Sequence, residues 1–272
     1  MNKSKLLLGY IFGFIASLVL VILILLLILK FTIADKNHVL KMLKENNYYS
    51  DINDEIQEEM RFYLSSTGFT DEIINDVYDY DKLVSDINTF IDNIYLGKET
   101  KLDNKDIHSN IEKNIESYFQ KSNLSSINKD GVNNLITDLV NAYDDEVELY
   151  HFIDSLIPHV PKVINYINIG VIVCSMSLVV LLVVLIIVKY RYYSATIMAS
   201  GLILLFVRLV IIEKIDVKNI LIITEKFSNE LRILLTKLQD ILWVIAVIMI
   251  FLGLTISIVK CVKRKEMIAK KD

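Results

Sequence analysis

The sequence predicts an all-α integral membrane protein with four transmembrane helices and an extracytoplasmic helical-bundle domain between the first two. Three observations lead there. Of the 272 residues 53% are hydrophobic, with a mean hydropathy of +0.44, and the excess is gathered into four blocks. Two prolines and eight glycines are too few for the turns of a loop-rich β architecture. The polar stretches repeat their apolar residues every three or four positions, the period of one helix face. The same composition excludes a simple soluble enzyme, a disordered chain and a collagen-like chain.

The first block, residues 6–29, has no charge. As a helix it spans about 36 Å at about 1.5 Å per residue, and a bilayer core of roughly 30 Å takes about 20 residues to cross. Lys3 and Lys5 also suit the basic start of a secretory signal peptide. Such a peptide has an apolar core of only about 7–15 residues and a small-residue cleavage site, so an uncleaved anchor is expected. Residues 1–33 are read as a cytosolic N-terminus and the first span. Gly9 and Gly13 form G-x-x-x-G, and Ser17 extends this small face by a turn, offering close helix packing.

Residues 34–163 read as a helical domain. Ile52, Ile56, Met60 and Tyr63 share a face, as do Leu83, Ile87, Phe90, Ile91 and Ile94, and Ile107, Ile111, Ile115 and Phe119. The longest stripe is Val132, Leu135, Ile136, Leu139, Val140, Tyr143, Val147 and Tyr150. Breaks are expected at residues 65–68, 97–104 and 122–131, where turn residues cluster, with Ser50 and Asp81 as N-caps. Four to six helices follow, and about 130 residues suffice for a separate core. Pro158 and Pro161 predict a rigid corner ahead of the second span.

Residues 164–212 hold the second and third spans, 164–188 and 194–212, and residues 241–272 the fourth span and a basic cytosolic tail. Ala195, Thr196, Ala199 and Ser200 give the third span a small face of its own. Its one charge, Arg208, is a candidate intramembrane functional group. It lies about 6 Å below the span's end by helical rise, where snorkelling or pairing with Asp240 is the expected role.

Between the third and fourth spans, residues 213–240 predict an extracytoplasmic amphipathic helix, with Ile220, Ile223, Phe227, Leu231, Leu234 and Leu238 on one face. Its five basic and five acidic residues do not suit an anionic membrane surface. Docking on the acidic domain through Ile220, Phe227, Leu231 and Leu238 is therefore expected.

Basic residues set the orientation. The N-terminus, the link at 189–193 and the tail carry a net charge of +8, against −14 for residues 34–163. Both termini are expected in the cytosol and the domain outside, with the plasma membrane as the location. The exported segment has no cysteine, since Cys174 lies in the second span and Cys261 past the fourth. Packing alone must hold it together.

Little in the chain points to chemistry. No H-E-x-x-H is present, the four histidines lie outside the spans, and no span interior holds Asp or Glu. Intramembrane serines therefore lack a base. The acidic groups Asp51, Asp54, Glu55, Glu58 and Glu59, and Asp144, Asp145, Glu146 and Glu148, are expected to be solvated faces. Neither has the glycine-bearing pattern of a calcium loop. No cofactor, metal or catalytic residue is assigned, and the short basic tail, beside the membrane, does not point to nucleic acid.

The order of one span, a large outer domain and three spans resembles that of exporter permeases of the cell-division and macrolide-efflux type. The short link at 189–193 lacks the cytosolic segments with which those engage an ATPase. The run from Lys44 to Tyr49, then residues 55–63, Gly68 and residues 71–77, resembles four-span membrane proteins of clostridia and related Firmicutes. That resemblance implies a domain facing a Gram-positive wall and carries no activity with it. The expectation is a non-enzymatic sensor or scaffold that binds a ligand or partner through its outer domain. Its partners are the lipid bilayer and other membrane or envelope proteins, or a second copy. The alternative is an accessory or permease-like subunit of a transporter, which would need more polar span faces.

Overall fold

The computed structural model describes residues 3–98, 102–122, 128–148, 157–188, 192–214 and 225–269. Every regular element among them is helical: α1 (Lys3–Phe31), α2 (Lys36–Glu45), α3 (Tyr48–Ser65), α4 (Tyr80–Leu96), α5 (Lys105–Ser122), α6 (Lys129–Val147), α7 (Val160–Ile187), α8 (Tyr193–Lys214) and α9 (Glu225–Ala269). Short 3₁₀ turns occupy Asp71–Ile73 and Ile157–His159. The described chain forms two compact units, one from Asp35–Val163 with Leu221–Glu230, the other from the remainder.

Four helices are long and apolar enough to cross a membrane, over Leu7–Phe31, Ile157–Ile187, Tyr193–Glu213 and Ser228–Lys263. Large apolar side chains lie open along them, Met176, Ile186, Phe206 and Phe251 each about two-thirds exposed. Each would lose roughly 1.5–3 kcal/mol of burial in water, a loss that lipid removes. The protein is thus a multi-pass membrane protein in contact with the bilayer. Within this unit α1, α8 and α9 meet on Val21, Leu204, Leu242, Ala246 and Met249. Ala16 and Leu185 join α1 to α7.

α8 and α9 approach to backbone contact. A Cβ on Gly201 would stand 2.8 Å from the Ala246 carbonyl oxygen, and one on Gly253 2.8 Å from that of Ser194. Only glycine fits at either position.

α9 differs from expectation. The sequence predicts an amphipathic helix, ending at residue 240, separate from a fourth span. The structure has one helix of 45 residues, Glu225–Ala269, and α8 extends to Lys214. No proline interrupts α9, and its first glycine is Gly253, so nothing local ends the helix at the membrane surface. At about 67 Å it is more than twice a bilayer core.

In the polar domain, α3 supplies the central stripe. Ile52, Ile56 and Met60 are wholly buried, and the next core position is Leu64, with Tyr63 half-buried beside it. Leu83, Ile87 and Phe90 of α4, Ile107, Ile111 and Ile115 of α5, and Leu135, Ile136, Leu139, Tyr143 and Val147 of α6 are also buried. All but Phe90 belong to one cluster; Tyr150 lies outside the described residues. Asn110 and Asn114 of α5 donate to the carbonyls of Val77, Ile73 and Asn75, pinning the link between α3 and α4.

Helices begin and end near the expected turns, but both caps shift. α3 starts at Tyr48, so Ser50 lies inside it. Burial of Tyr48 and Tyr49, at 4% and 7% exposure, draws these residues into the helix. Asp79, two residues before Asp81, caps α4 by accepting from the Lys82 N–H at 2.5 Å.

Pro158 sits in the 3₁₀ turn and Pro161 in the first turn of α7, where a missing N–H is harmless. Gly97 ends α4 at φ +67°, and a Cβ there would stand 2.8 Å from Pro161 Cγ. The corner is thus packed against the end of α4.

Since this core needs no disulfide, residues 34–157 expressed alone should give a helical circular dichroism spectrum and a cooperative melt. A spectrum of unfolded chain would show that the domain needs the spans.

Candidate functional site

In the membrane unit the small face of α1 meets α8. Gly9, Gly13, Ala16 and Ser17 are buried. The Ser17 hydroxyl lies 3.0 Å from the Gly13 carbonyl oxygen and 3.1 Å from that of Thr196. The Ser200 hydroxyl lies 3.0 Å from the Thr196 carbonyl oxygen and 3.3 Å from that of Ser17. Two hydroxyls therefore stitch the helices through backbone carbonyls, satisfying polar groups that lipid cannot. Thr196 and Ser200 thus face the small residues of α1 across this contact, whereas Ala195 is exposed.

Arg208 lies beside α9. Its Nε donates to the Gln239 carbonyl at 3.2 Å, and the guanidinium stands 5.4 Å from the centroid of the Trp243 ring. The expected ion pair with Asp240 does not form among the described residues, because the guanidinium turns to a helix carbonyl and an aromatic face. A cation over indole is worth roughly 0.5–2 kcal/mol. Arg208→Leu should therefore insert normally, since it removes a charge from a span. It should also shift the emission of Trp243, the only tryptophan. An unshifted spectrum would contradict this geometry.

Of the docking stripe, Leu231 is half-buried and Leu238 is 9% exposed. Ile220 and the side chain of Phe227 lie outside the described residues. Contact with the polar domain comes through other groups in this segment. Ser228 is 0% and Glu230 5% exposed, and Asn46 Nδ2 donates to Glu230 Oε2 at 2.7 Å.

The acidic groups of the domain are the main departure from expectation. Glu146 is not solvated; it is 7% exposed. Its carboxyl meets that of Glu55 on α3, with Glu59 and Asp145 close by. Burial first, then the charges of Glu55 and Glu59, raises it from the usual carboxylate range to about 7. Glu59, half-buried, is raised by burial first and then by the charges of Asp145 and Glu55.

Asp144 faces another way. It accepts from Asn104 Nδ2 and is pushed up to about 7, chiefly by burial and then by Glu148. Nearby, the Tyr143 hydroxyl donates to Asp86 at 2.7 Å, and Lys82 pairs with Asp86 at 3.3 Å.

The signal for Glu146 was present in the pattern. It stands seven residues after Leu139 and three after Tyr143, on the same helix face as both. Glu55 and Glu59 each follow a core isoleucine by three. Charge alone had suggested solvent, whereas position on the stripe decides burial. Gly201 and Gly253 gave no comparable signal, since a lone glycine in a span does not announce what it faces.

Among the described residues no group of three or more His, Cys, Asp or Glu is arranged to hold a metal ion. His151 lies outside them, and His108 stands 4.0 Å from Glu112 on the same helix. The chain matches no family model, no curated protein and no solved structure.

Proposed function

We propose that this is a non-enzymatic sensor or scaffold of the cell envelope. Its polar domain faces outside the plasma membrane and binds a ligand or partner, and its spans hold or signal to other membrane proteins. The supporting observation is α9. Its first turns belong to the unit of the polar domain, and the same helix continues as the fourth span. One unbroken helix therefore carries residues of both units. The −14 charge of the domain and the basic flanks of the spans support the orientation. The resemblance to clostridial four-span proteins favours a wall-facing domain.

Reporter fusions after Tyr193 and at the C-terminus should report cytosol, and fusions within residues 98–105 should report the outside. A cytosolic signal from the latter would overturn the orientation. Purification in mild detergent should bring down an envelope or signalling protein, a kinase or wall enzyme being the expected class. A co-purifying ATPase would replace this reading with the transporter subunit.

A further inference from the structure

Where α6 turns its buried face to α3, a carboxyl occupies a core position. Glu146 is 93% buried by difference from its 7% exposure, and its Oε2 has no hydrogen-bond partner among the described residues. The groups that meet it are acidic: Glu55 in carboxyl-to-carboxyl contact, Glu59 one turn further along α3, and Asp145 beside it on α6. Two carboxyls in contact hold one proton between them, because a pair of adjacent charges away from water is strongly unfavourable. The other neighbours of α6 serve different residues. α4 presents Asp86 to Tyr143, and the link before α5 presents Asn104 to Asp144.

The same place receives the start of α9. Tyr48, 4% exposed at the head of α3, lies within electrostatic range of Glu146, Glu55 and Glu230 together. Glu230 is held by Asn46, two residues before Tyr48, and Ser228 is buried with it. Tyr48 thus connects the seat of α9 with the Glu55–Glu146 pair, since the carboxyls of both act on its hydroxyl. On α9 the positive charges nearest Glu230 along the chain are Arg232 and Lys226, two and four residues away.

We infer that Glu146 is a proton-operated latch: protonated, it keeps the first turns of α9 seated on the polar domain, and deprotonation loosens that seat. In the closed state the Glu146 O–H donates to the Glu55 carboxylate. On opening, that O–H bond breaks, the proton passes to a solvent base and the electron pair stays on Glu146. Two carboxylates then face each other, with Glu59 and Asp145 beside them and Glu230 acting on the same Tyr48, and the repulsion is relieved by admitting water between α6, α3 and α9. Burial and its acidic neighbours place the transition near neutral pH. The latch goes beyond the sensor reading and does not rest on it, since a scaffold with no other ligand would show the same response.

The test uses the full chain in nanodiscs of zwitterionic lipid. Amide hydrogen exchange is followed in peptides covering residues 40–50 and 225–232, from about pH 5.5 to 8.5. Exchange times are corrected for the intrinsic dependence of exchange on hydroxide. In the wild type, protection of both peptides should fall about tenfold, the equivalent of one pKa unit, as pH rises through neutrality. Glu146→Gln mimics the protonated group and should keep both protected throughout. Glu55→Gln removes the charge facing Glu146 and should move the transition to lower pH, which keeps the inference testable if Glu146→Gln does not fold. Protection independent of pH in the wild type would overturn the latch. So would a pH response unchanged in Glu146→Gln, or a transition unmoved in Glu55→Gln. None of these failures bears on whether the domain binds a partner.

Discussion

The polar domain should be several kcal/mol more stable at pH 5 than at pH 8, the reverse of a domain held by ionised carboxylates. In the unfolded chain Asp144 and Glu146 lose their protons near their ordinary values of 3.8 and 4.5, whereas in the fold both keep them to about 7. Between those limits the native state binds more protons than the unfolded one, so each rise in pH favours unfolding. Below about pH 4 both states are protonated and above about pH 7 both are ionised, so the fall lies between. Each carboxyl contributes on the order of 3 kcal/mol to it. Repulsion within a segment of net charge −14 acts in the same direction.

Melting of the detergent-solubilised chain, followed by near-ultraviolet dichroism of the buried tyrosines, should show a higher Tm at pH 5. Glu146→Gln should raise Tm at pH 8 and halve the difference, because it removes one of the two groups and leaves Asp144. Equal melting of the wild type at both pH values would mean that neither carboxyl holds its proton.

Replacing Gly201 or Gly253 with leucine should separate α8 from α9 while leaving insertion intact. In lipid no hydrophobic force drives helices together, so association depends on close packing and on polar contacts. At both glycines even a methyl group would meet a backbone carbonyl oxygen at 2.8 Å. Backbone cannot rotate away as a side chain can, so the helices must move apart. That would loosen the cluster of Leu204, Leu242, Ala246 and Met249. The expected loss is on the order of 3 kcal/mol, the upper part of the range for overpacked cores. It is read as a lower Tm in mild detergent, with expression and membrane fraction unchanged. Gly201→Ala should lose less. A Gly201→Leu protein as stable as the wild type would show that α8 and α9 do not approach this closely.

Much of the architecture was legible in the chain because its causes are local. Bilayer thickness demands about 20 apolar residues in a row, and residues 6–29, 164–188, 194–212 and 241–259 supply them. Helix period placed Ile52, Ile56, Leu83, Ile87, Ile107, Ile111, Leu135 and Leu139 on inner faces, and turn chemistry at 65–68 and 97–104 separated their helices. The caps at Ser50 and Asp81 were missed by a turn or less, because burial of Tyr48 and Tyr49 outweighed a favourable cap residue at one end and Asp79 served the same role at the other.

What needed the tertiary structure is what depends on a neighbour far along the chain. Ser17 and Thr196 are 179 residues apart, and Asn46 and Glu230 are 184 apart. No local pattern says which helix a small face or a carboxyl will meet. Charge pointed Glu146 toward water, and its place on the stripe pointed it inward. The packing of α6 on α3 decided for burial, since exposing Leu139, Tyr143 and Val147 to free one carboxylate costs more than keeping that carboxyl protonated. Helix α9 shows the same division. Its amphipathic start and apolar continuation were both readable as segments. Their union in a single helix follows from the absence of a breaker, and the burial of Ser228 and Glu230 followed only once Asn46 and Tyr48 had been brought to them.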